Sequence, residues 1–370
     1  MDVKGQYNTA RIFADTIEEE AIGQIITLCN QSIFKEKRVR IMPDVHAGKG
    51  CVIGFTAELG DQVIPNLIGV DIGCGMLSTN LGPQRIDFEK LDHFIRNSIP
   101  HGFKKHTNAK ARNFPKSLIK QLNQTCNDLK LEYGDHLRSI GTLGGGNHFI
   151  EINKDRNGNH WLVIHSGSRN FGLKVATTHQ QKAIKYCQNQ GLKLPKDLSF
   201  LEGSDKAVYF EHMQVAQHFA SLNRATMTEK ILQFLTIRDA HDQFETIHNY
   251  INFNDNIIRK GAISSNYGEK VLIPLNMRDG SIIAIGKGNS DWNNSAPHGA
   301  GRLYSRHKAK AIIPLDDFQS SMQEVWTSSV SKHTLDEAPQ AYKPAEAILE
   351  QIDETVEVID IMRPVYNFKG

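Results

Sequence analysis

The chain has 370 residues, 39% hydrophobic, 23% charged and 8% aromatic, and its 43 Lys and Arg nearly balance 41 Asp and Glu, for a net charge of +2. These values exclude a disordered or collagen-like polypeptide and the global basic coat that drives non-specific nucleic-acid binding, so a nucleic-acid partner must meet local patches. Five cysteines without a CxxC pair exclude a disulfide framework or zinc ribbon; the lack of an apolar stretch of about 18 residues, and an acidic start, predict a cytoplasmic protein with no membrane partner.

Short apolar runs at 39–42, 51–55 and 68–72, punctuated by Gly, Pro and Asp, predict strands. From 88 to 133 the pattern is helical, with Leu118, Leu122, Cys126 and Leu129 at spacings of four, four and three. Lys104, Lys105, Lys110, Arg112, Lys116 and Lys120 make this stretch basic, and a solvated helix face accounts for it better than a nucleic-acid patch. Strands at 149–152 and 161–165 lead into helices at about 173–189 and 208–235, the second with Met213, Ala216, Phe219 and Ala220 as a core-facing stripe. Strands at 271–275 and 281–285 precede a Gly- and Asn-rich loop at 286–301, and the tail from 344 to 361 reads as an acidic helix. No repeat, linker or low-complexity tract divides the chain. The expectation is one α+β catalytic domain over 1–370, with mixed sheet and helical insertions.

The 29 glycines and 16 histidines coincide in five places: Pro-Asp-Val-His (43–46), Asp-Ile-Gly-Cys-Gly (71–75), Gly-Gly-Gly-Asn-His (144–148), His-Ser-Gly-Ser-Arg (165–169) and His-Gly-Ala-Gly-Arg (298–302). Each sets a potential ligand or nucleophile at the end of an apolar run, where glycine allows close backbone approach. Asp71 and Cys74, three apart in a glycine turn, can converge on one ion, although a capping Asp and a buried Cys explain the pair better when it is taken alone. With His148, His165 and His248 they form a mixed O, S and N donor set, suited to zinc, manganese or cobalt rather than calcium. After His298 a small-residue loop offers backbone N–H groups to phosphate, and Arg302 adds charge. Neither Gly-Lys-Gly (48–50, 286–288) has Walker spacing, and KxDG and HExxH are absent, so a covalent nucleotide adduct would fall on histidine.

The ordered set Asp-Ile-Gly-Cys-Gly, Gly-Gly-Gly-Asn-His-Phe-Ile-Glu, His-Ser-Gly-Ser-Arg, Ile-His-Asn and His-Gly-Ala-Gly-Arg resembles the RtcB family of RNA-splicing ligases, from residue 43 to the terminal Phe-Lys-Gly. The resemblance implies the family's own α+β fold, not a Rossmann or P-loop domain. It also implies a GTP- and Mn2+-dependent ligase that joins RNA 3′-phosphate or 2′,3′-cyclic phosphate ends to 5′-hydroxyl ends. By that resemblance Asp71, Cys74 and His148 hold one Mn2+ and Cys74, His165 and His248 the second. His298 becomes guanylylated, Asp44 orients it, and RNA-(3′)pp(5′)G follows. Asn147, Phe149, Glu151, Asn249, Gly299, Ala300, Gly301, Tyr342 and Lys369 would contact the nucleotide, and Arg169 an RNA phosphate. An archease-like activator is a further implied partner.

Two motifs depart from the family. Pro-Leu-Asn-Met-Arg (274–278) stands where Pro-Gly-Ser-Met-Gly is common, so Asn276 replaces the nucleotide-contacting serine, and Asp-Ile-Asn-Cys-Gly has become Asp-Ile-Gly-Cys-Gly. With a length short for the family, they point to RNA repair rather than tRNA splicing. A two-metal phosphoesterase or nuclease, or a non-catalytic metal-dependent RNA-binding protein, would use the same ligands without a nucleotide adduct.

Overall fold

The computed structural model describes residues 1–108 and 114–370. Its strands are β1 (Asp2–Lys4), β2 (Thr9–Ile12), β3 (Val39–His46), β4 (Ile53–Glu58), β5 (Gly75–Gly82), β6 (Phe149–Lys154), β7 (His160–Ser166), β8 (Asp242–Ile247), β9 (Asn249–Asn252), β10 (Ile257–Lys260), β11 (Ala262–Ser264), β12 (Lys270–Asn276), β13 (Gly280–Gly286), β14 (Ser295–Pro297) and β15 (Val356–Lys369). Three sheets result, in the orders β1-β2-β3-β4-β10-β9, β11-β14 and β12-β13-β15-β6-β7-β5-β8. Among the described residues all strand pairings are antiparallel except β2 with β3, which makes no doubly wound parallel sheet there, and the α+β expectation holds.

The helices are α1 (Glu19–Cys29), α2 (Phe88–Ser98), α3 (Lys116–Asp128), α4 (Tyr133–Leu137), α5 (Arg169–Asn189), α6 (Gly203–Phe234), α7 (Arg306–Ile312), α8 (Leu315–Ser321) and α9 (Ala345–Ile352). Among the described residues none is long and apolar enough to cross a membrane. The stripe read on α6 is core: Met213, Ala216, Phe219 and Ala220 are buried. Each large side chain there contributes roughly 1.5–3 kcal/mol of burial.

Alternation along β6 and β7 sets the site. Ile150, Ile152, Leu162 and Ile164 pack with Leu91 and Ile95 of α2 and with Met227 and Ile231 of α6. Period two then turns Phe149, Glu151 and His165 to the opposite face, where they line a pocket. The register aligns strand ends as well. Gly75 pairs with Ser166 and Ile247, and Phe149 with His165, so Cys74, His148, His165 and His248 stand at one end of four adjacent strands.

Four sequence expectations are corrected. Residues 68–72 are not a strand: they follow the 3-10 turn Pro65–Leu67, and Gly69 and Gly73 take φ of 86° and 73°, so buried Ile68 and Ile72 anchor a loop instead of a ladder. The tail is helical only over Ala345–Ile352 and then becomes β15, whose Val356, Val358 and Ile361 pair with β13 and whose residues 363–369 pair with β6. Loop 286–301 contains β14, and helix α6 begins five residues before the expected start. Of the basic stretch, Lys105 pairs with Asp135, while Lys110 and Arg112 lie outside the described residues.

Candidate active site and metal centre

The thiol and imidazoles at the strand ends converge. Ligand atoms of Cys74, His148 and His165 lie within 4.8 Å of one another, with Cys74 Sγ 3.5 Å from His148 Nε2 and 3.3 Å from His165 Nε2. Each ring is fixed from behind, since His148 Nδ1–H donates to the Leu143 carbonyl (2.9 Å) and His165 Nδ1–H to that of Asn147 (3.1 Å). That tautomer leaves both Nε2 lone pairs facing the sulfur. Asp71 completes the group: Oδ2 is 3.1 Å from His148 Nε2, and Oδ1 accepts the Ser168 backbone N–H at 3.0 Å. His248 stands edge-on beside this cluster, its ring centroid 5.1 Å from that of His165, and its buried Nδ1 has no hydrogen-bond partner among the described residues.

These residues fit a cation. Burial holds His165 and His248 well below the usual histidine range, so they are neutral donors. Burial, with Asp71 beside it, pushes the Cys74 thiol well up, a cost that a bound cation reverses. Burial pushes Asp71 up too, but neighbouring positive charge, that of Arg169 included, outweighs it and keeps its carboxylate low. A carboxylate, a thiol, neutral imidazoles and an orphaned nitrogen are the donors of a transition-metal centre. The other four cysteines are buried and free.

His298 adjoins the cluster, its ring centroid 5.0 Å from that of His248. It follows β14, while Asp44 arrives on β3 of the larger neighbouring sheet. Asp44 is fully buried (0% exposed), and its Oδ2 accepts both the His298 Nδ1–H (2.6 Å) and the His298 backbone N–H (3.1 Å). Two bonds from one oxygen fix the ring, leaving Nε2 as the lone-pair nitrogen on a side chain that lines the pocket. Glycines make room: a Cβ on Gly301, whose φ is 74°, would stand 2.9 Å from the Asp44 carbonyl, and one on Gly261 3.3 Å from His298 Cε1.

The pocket beside His298 gathers most of the expected nucleotide residues: Asn147, Phe149, Glu151, Asn276, Gly299, Ala300, Gly301, Tyr342 and Lys369. Burial pushes the Glu151 carboxyl up to about 7, against hydrogen bonds from Asn367 Nδ2 (2.7 Å) and Asn153 Nδ2 (2.8 Å) and the charge of Lys369. Asn276 is in the wall, but its side chain closes the β12–β13 turn: Oδ1 accepts from the backbone of Arg278 and Asp279 and Nδ2 donates to Asp279. Two expected contacts lie elsewhere. Asn249 braces the metal turn, donating to the Asp71 carbonyl at 3.3 Å and accepting from Gly261 N–H at 3.0 Å. Arg169 donates to the Gly102 carbonyl and to Thr142 Oγ1, outside the pocket wall.

Arg302 is committed differently from the phosphate role its motif suggests. Its guanidinium donates to Tyr342 Oη (3.1 Å), the Tyr304 carbonyl (3.1 Å) and the Asp336 carbonyl. Glu337 is the hub that local reading missed. This buried carboxylate accepts from Tyr342 Oη (2.9 Å), Arg306 (2.5 Å) and Lys369, and its residue type carries no motif of its own. Arg306 in the pocket wall was also unforeseen, and His46, of the Pro-Asp-Val-His segment, lines that wall without a role assigned from sequence.

Comparison with known proteins gives the same direction. The profile of the family described as tRNA-splicing ligase RtcB matches residues 25–135 and 128–370. An RNA-splicing ligase RtcB of Escherichia coli K12 is 34% identical over 96% of this chain and 95% of its own length. A tRNA-splicing ligase RtcB of Pyrobaculum aerophilum is 26% identical over 97% of this chain and 94% of its own. The latter alignment runs to 459 positions against a chain of 370, so that relative carries insertions this chain lacks, whereas the bacterial one does so far less, at 391 positions.

Proposed function

The chain belongs to the RtcB family of RNA-splicing ligases, and from that premise we propose that it is a GTP- and Mn2+-dependent ligase of RNA 3′-phosphate or 2′,3′-cyclic phosphate ends with 5′-hydroxyl ends. The observation that carries the proposal is the Asp44–His298 pair beside the donor cluster. His298 Nε2 attacks the α-phosphorus of GTP, a P–N bond forms, the bond to the bridging oxygen breaks and pyrophosphate leaves. The proton on Nδ1 stays in its hydrogen bond to Asp44, which stabilises the positive charge that the ring gains. An oxygen of the RNA 3′-phosphate then attacks the phosphorus on His298, the P–N bond breaks and RNA-(3′)pp(5′)G is released from the ring. The 5′-hydroxyl of the second RNA attacks the RNA-side phosphorus, loses its proton, and GMP leaves. A cyclic phosphate end is first opened by water.

Asp71, Cys74, His148, His165 and His248 would hold the manganese ions, whose Lewis acidity offsets charge on phosphate oxygens. The glycine loop at 299–301 supplies backbone N–H groups, and Phe149, Glu151, Tyr342 and Lys369 form the wall for the base and ribose. An archease-like activator, a cytoplasmic setting and a role in RNA repair or tRNA splicing belong to the same reading. The test is incubation with α-labelled GTP and Mn2+, repeated with each of the four nucleoside triphosphates. An acid-labile labelled protein, lost in His298→Ala, is expected. An unlabelled wild type would sink the ligase reading, and RNA cleavage without nucleotide would favour a two-metal phosphoesterase.

A further inference from the structure

One helix reaches nearly every segment that carries a ligand of the cluster. Midway along α6, Asn223 and Arg224 are both fully buried (0% exposed). A buried guanidinium is costly unless its donors are met, so where those donors go is informative. Arg224 donates through Nη1 to the carbonyls of Gly73 (2.8 Å) and Ser166 (2.5 Å), and through Nε to Glu245 Oε1 (2.8 Å). Gly73 precedes Cys74, Ser166 follows His165, and Glu245 lies on β8 three residues before His248.

Asn223 serves the remaining segment. Its Oδ1 accepts the backbone N–H groups of Gly141 (2.8 Å) and Thr142 (3.0 Å), and its Nδ2 lies within hydrogen-bond distance of the Thr142 carbonyl, Ser166 Oγ and the Gly167 carbonyl. Leu143, next in the chain, offers the carbonyl that fixes the His148 ring, and Ser166 Oγ donates to that same carbonyl at 2.8 Å. Neither residue touches a ligand atom. Each acts on the backbone next to ligands that come from different strands, which is how separated donors are held at one spacing.

We propose that Asn223 and Arg224 are the positioning residues of the metal centre, a two-residue brace from the helical insertion that sets the spacing of Cys74, His148 and His165. The proposal rests on the reading of this cluster as a metal site. The planar fork suits two carbonyls and a carboxylate on three chain segments, a geometry that a lysine ammonium does not reproduce.

The test uses the full chain with Arg224→Lys and Asn223→Ala, measuring Mn2+ affinity by calorimetry and the absorption of the Co2+-loaded protein, whose thiolate charge-transfer and ligand-field bands report donor geometry. About 10–100-fold weaker Mn2+ binding and altered Co2+ bands are expected, with the metal-free variants still unfolding cooperatively. Wild-type affinity and spectrum in both variants overturn the brace. If Arg224→Lys does not fold, Glu245→Gln keeps the carbonyl bonds but frees one edge of the fork; several-fold weaker Mn2+ binding then supports the brace and unchanged binding overturns it. A wild-type chain that takes up neither ion overturns the metal reading and the brace with it, an outcome distinct from uptake matched by the variants.

Discussion

At the scale of single residues the proposed chemistry turns on which nitrogen of His298 is free. Asp44 Oδ2 accepts the Nδ1–H hydrogen bond at 2.6 Å and is itself shut away from water. Asp44→Asn keeps the shape but loses the charge and disturbs the tautomer, so the rate of His298 labelling from GTP should fall about 10²–10⁴-fold while the fold survives. Single-turnover labelling checks this, and an unchanged rate would remove Asp44 from the mechanism. Glu151 makes a second prediction. Its carboxyl, raised to about 7 by burial, keeps a proton in the folded chain that the unfolded chain loses near pH 4.5. Stability from this group is therefore full below pH 4.5 and lost as pH rises to about 7, with a slope approaching 1.4 kcal/mol per pH unit between those values. Urea unfolding of metal-free Glu151→Gln should lack that loss. The donor cluster was legible because its residues sit at glycine-flanked strand ends with a donor chemistry of their own. Asn223 and Arg224 were not, because most of their partners are backbone groups, which leave no side-chain pattern in a sequence.

At the scale of elements, α6 and its neighbours carry consequences that motifs alone miss. Gly73 has φ of 73°, a conformation open to Gly and Asn alike, which accounts for the Asn-to-Gly departure in the backbone's own terms. Here, however, a Cβ would stand 2.8 Å from Gln217 Cα on α6, so the turn and the helix are packed closer than any side chain permits. Gly73→Asn should cost roughly 1–3 kcal/mol in thermal or urea unfolding through this overpacking and should loosen metal binding with it. Between α5 and α6, burial pushes His179 down to about 3, His212 adding to the effect, with His179 Nε2 3.0 Å from His212 Nδ1. The unfolded chain protonates this histidine near pH 6.5 and the folded one does not, so its contribution is full above pH 6.5 and lost as pH falls to about 3. Between pH 4.5 and 6.5 the slopes of His179 and Glu151 oppose each other. Relative to wild type, the slope of stability against pH across that window should be more positive in Glu151→Gln and less positive in His179→Gln. A wild-type slope in either variant would refute the corresponding burial argument. The stripe on α6 and the strands β6, β7, β12 and β13 were readable from period alone. β15 was not, because it follows α9 within a few residues, the acidic residues of the helix run on into it at 357 and 360, and its partner strand β6 lies far away in the chain.

For the whole molecule, the near-neutral charge now has a spatial meaning. Around the His298 pocket stand Arg302, Arg306, Lys308, Lys310, Lys343 and Lys369, against Asp336 and Glu337. Much of that positive charge is already spent: Arg306, Lys369 and Arg302 share Glu337, and Lys310 pairs with Asp336 at 3.1 Å. Lys308 lies over the Tyr304 ring at 5.1 Å from its centroid and faces solvent. If RNA is held by so few uncommitted cations, its affinity must depend weakly on salt, because each phosphate neutralised on a single strand contributes about −0.7 to the slope of log K against log salt. A slope between about −1 and −3 is expected for a short single-stranded RNA with a 3′-phosphate, measured by fluorescence anisotropy from 50 to 300 mM KCl. Lys308→Glu should make that slope shallower by about 0.7 and weaken binding at low salt more than at high salt. A slope steeper than about −5 would mean that the RNA tracks over a much larger basic surface than the wall around His298, and the binding face would have to be sought elsewhere on the chain.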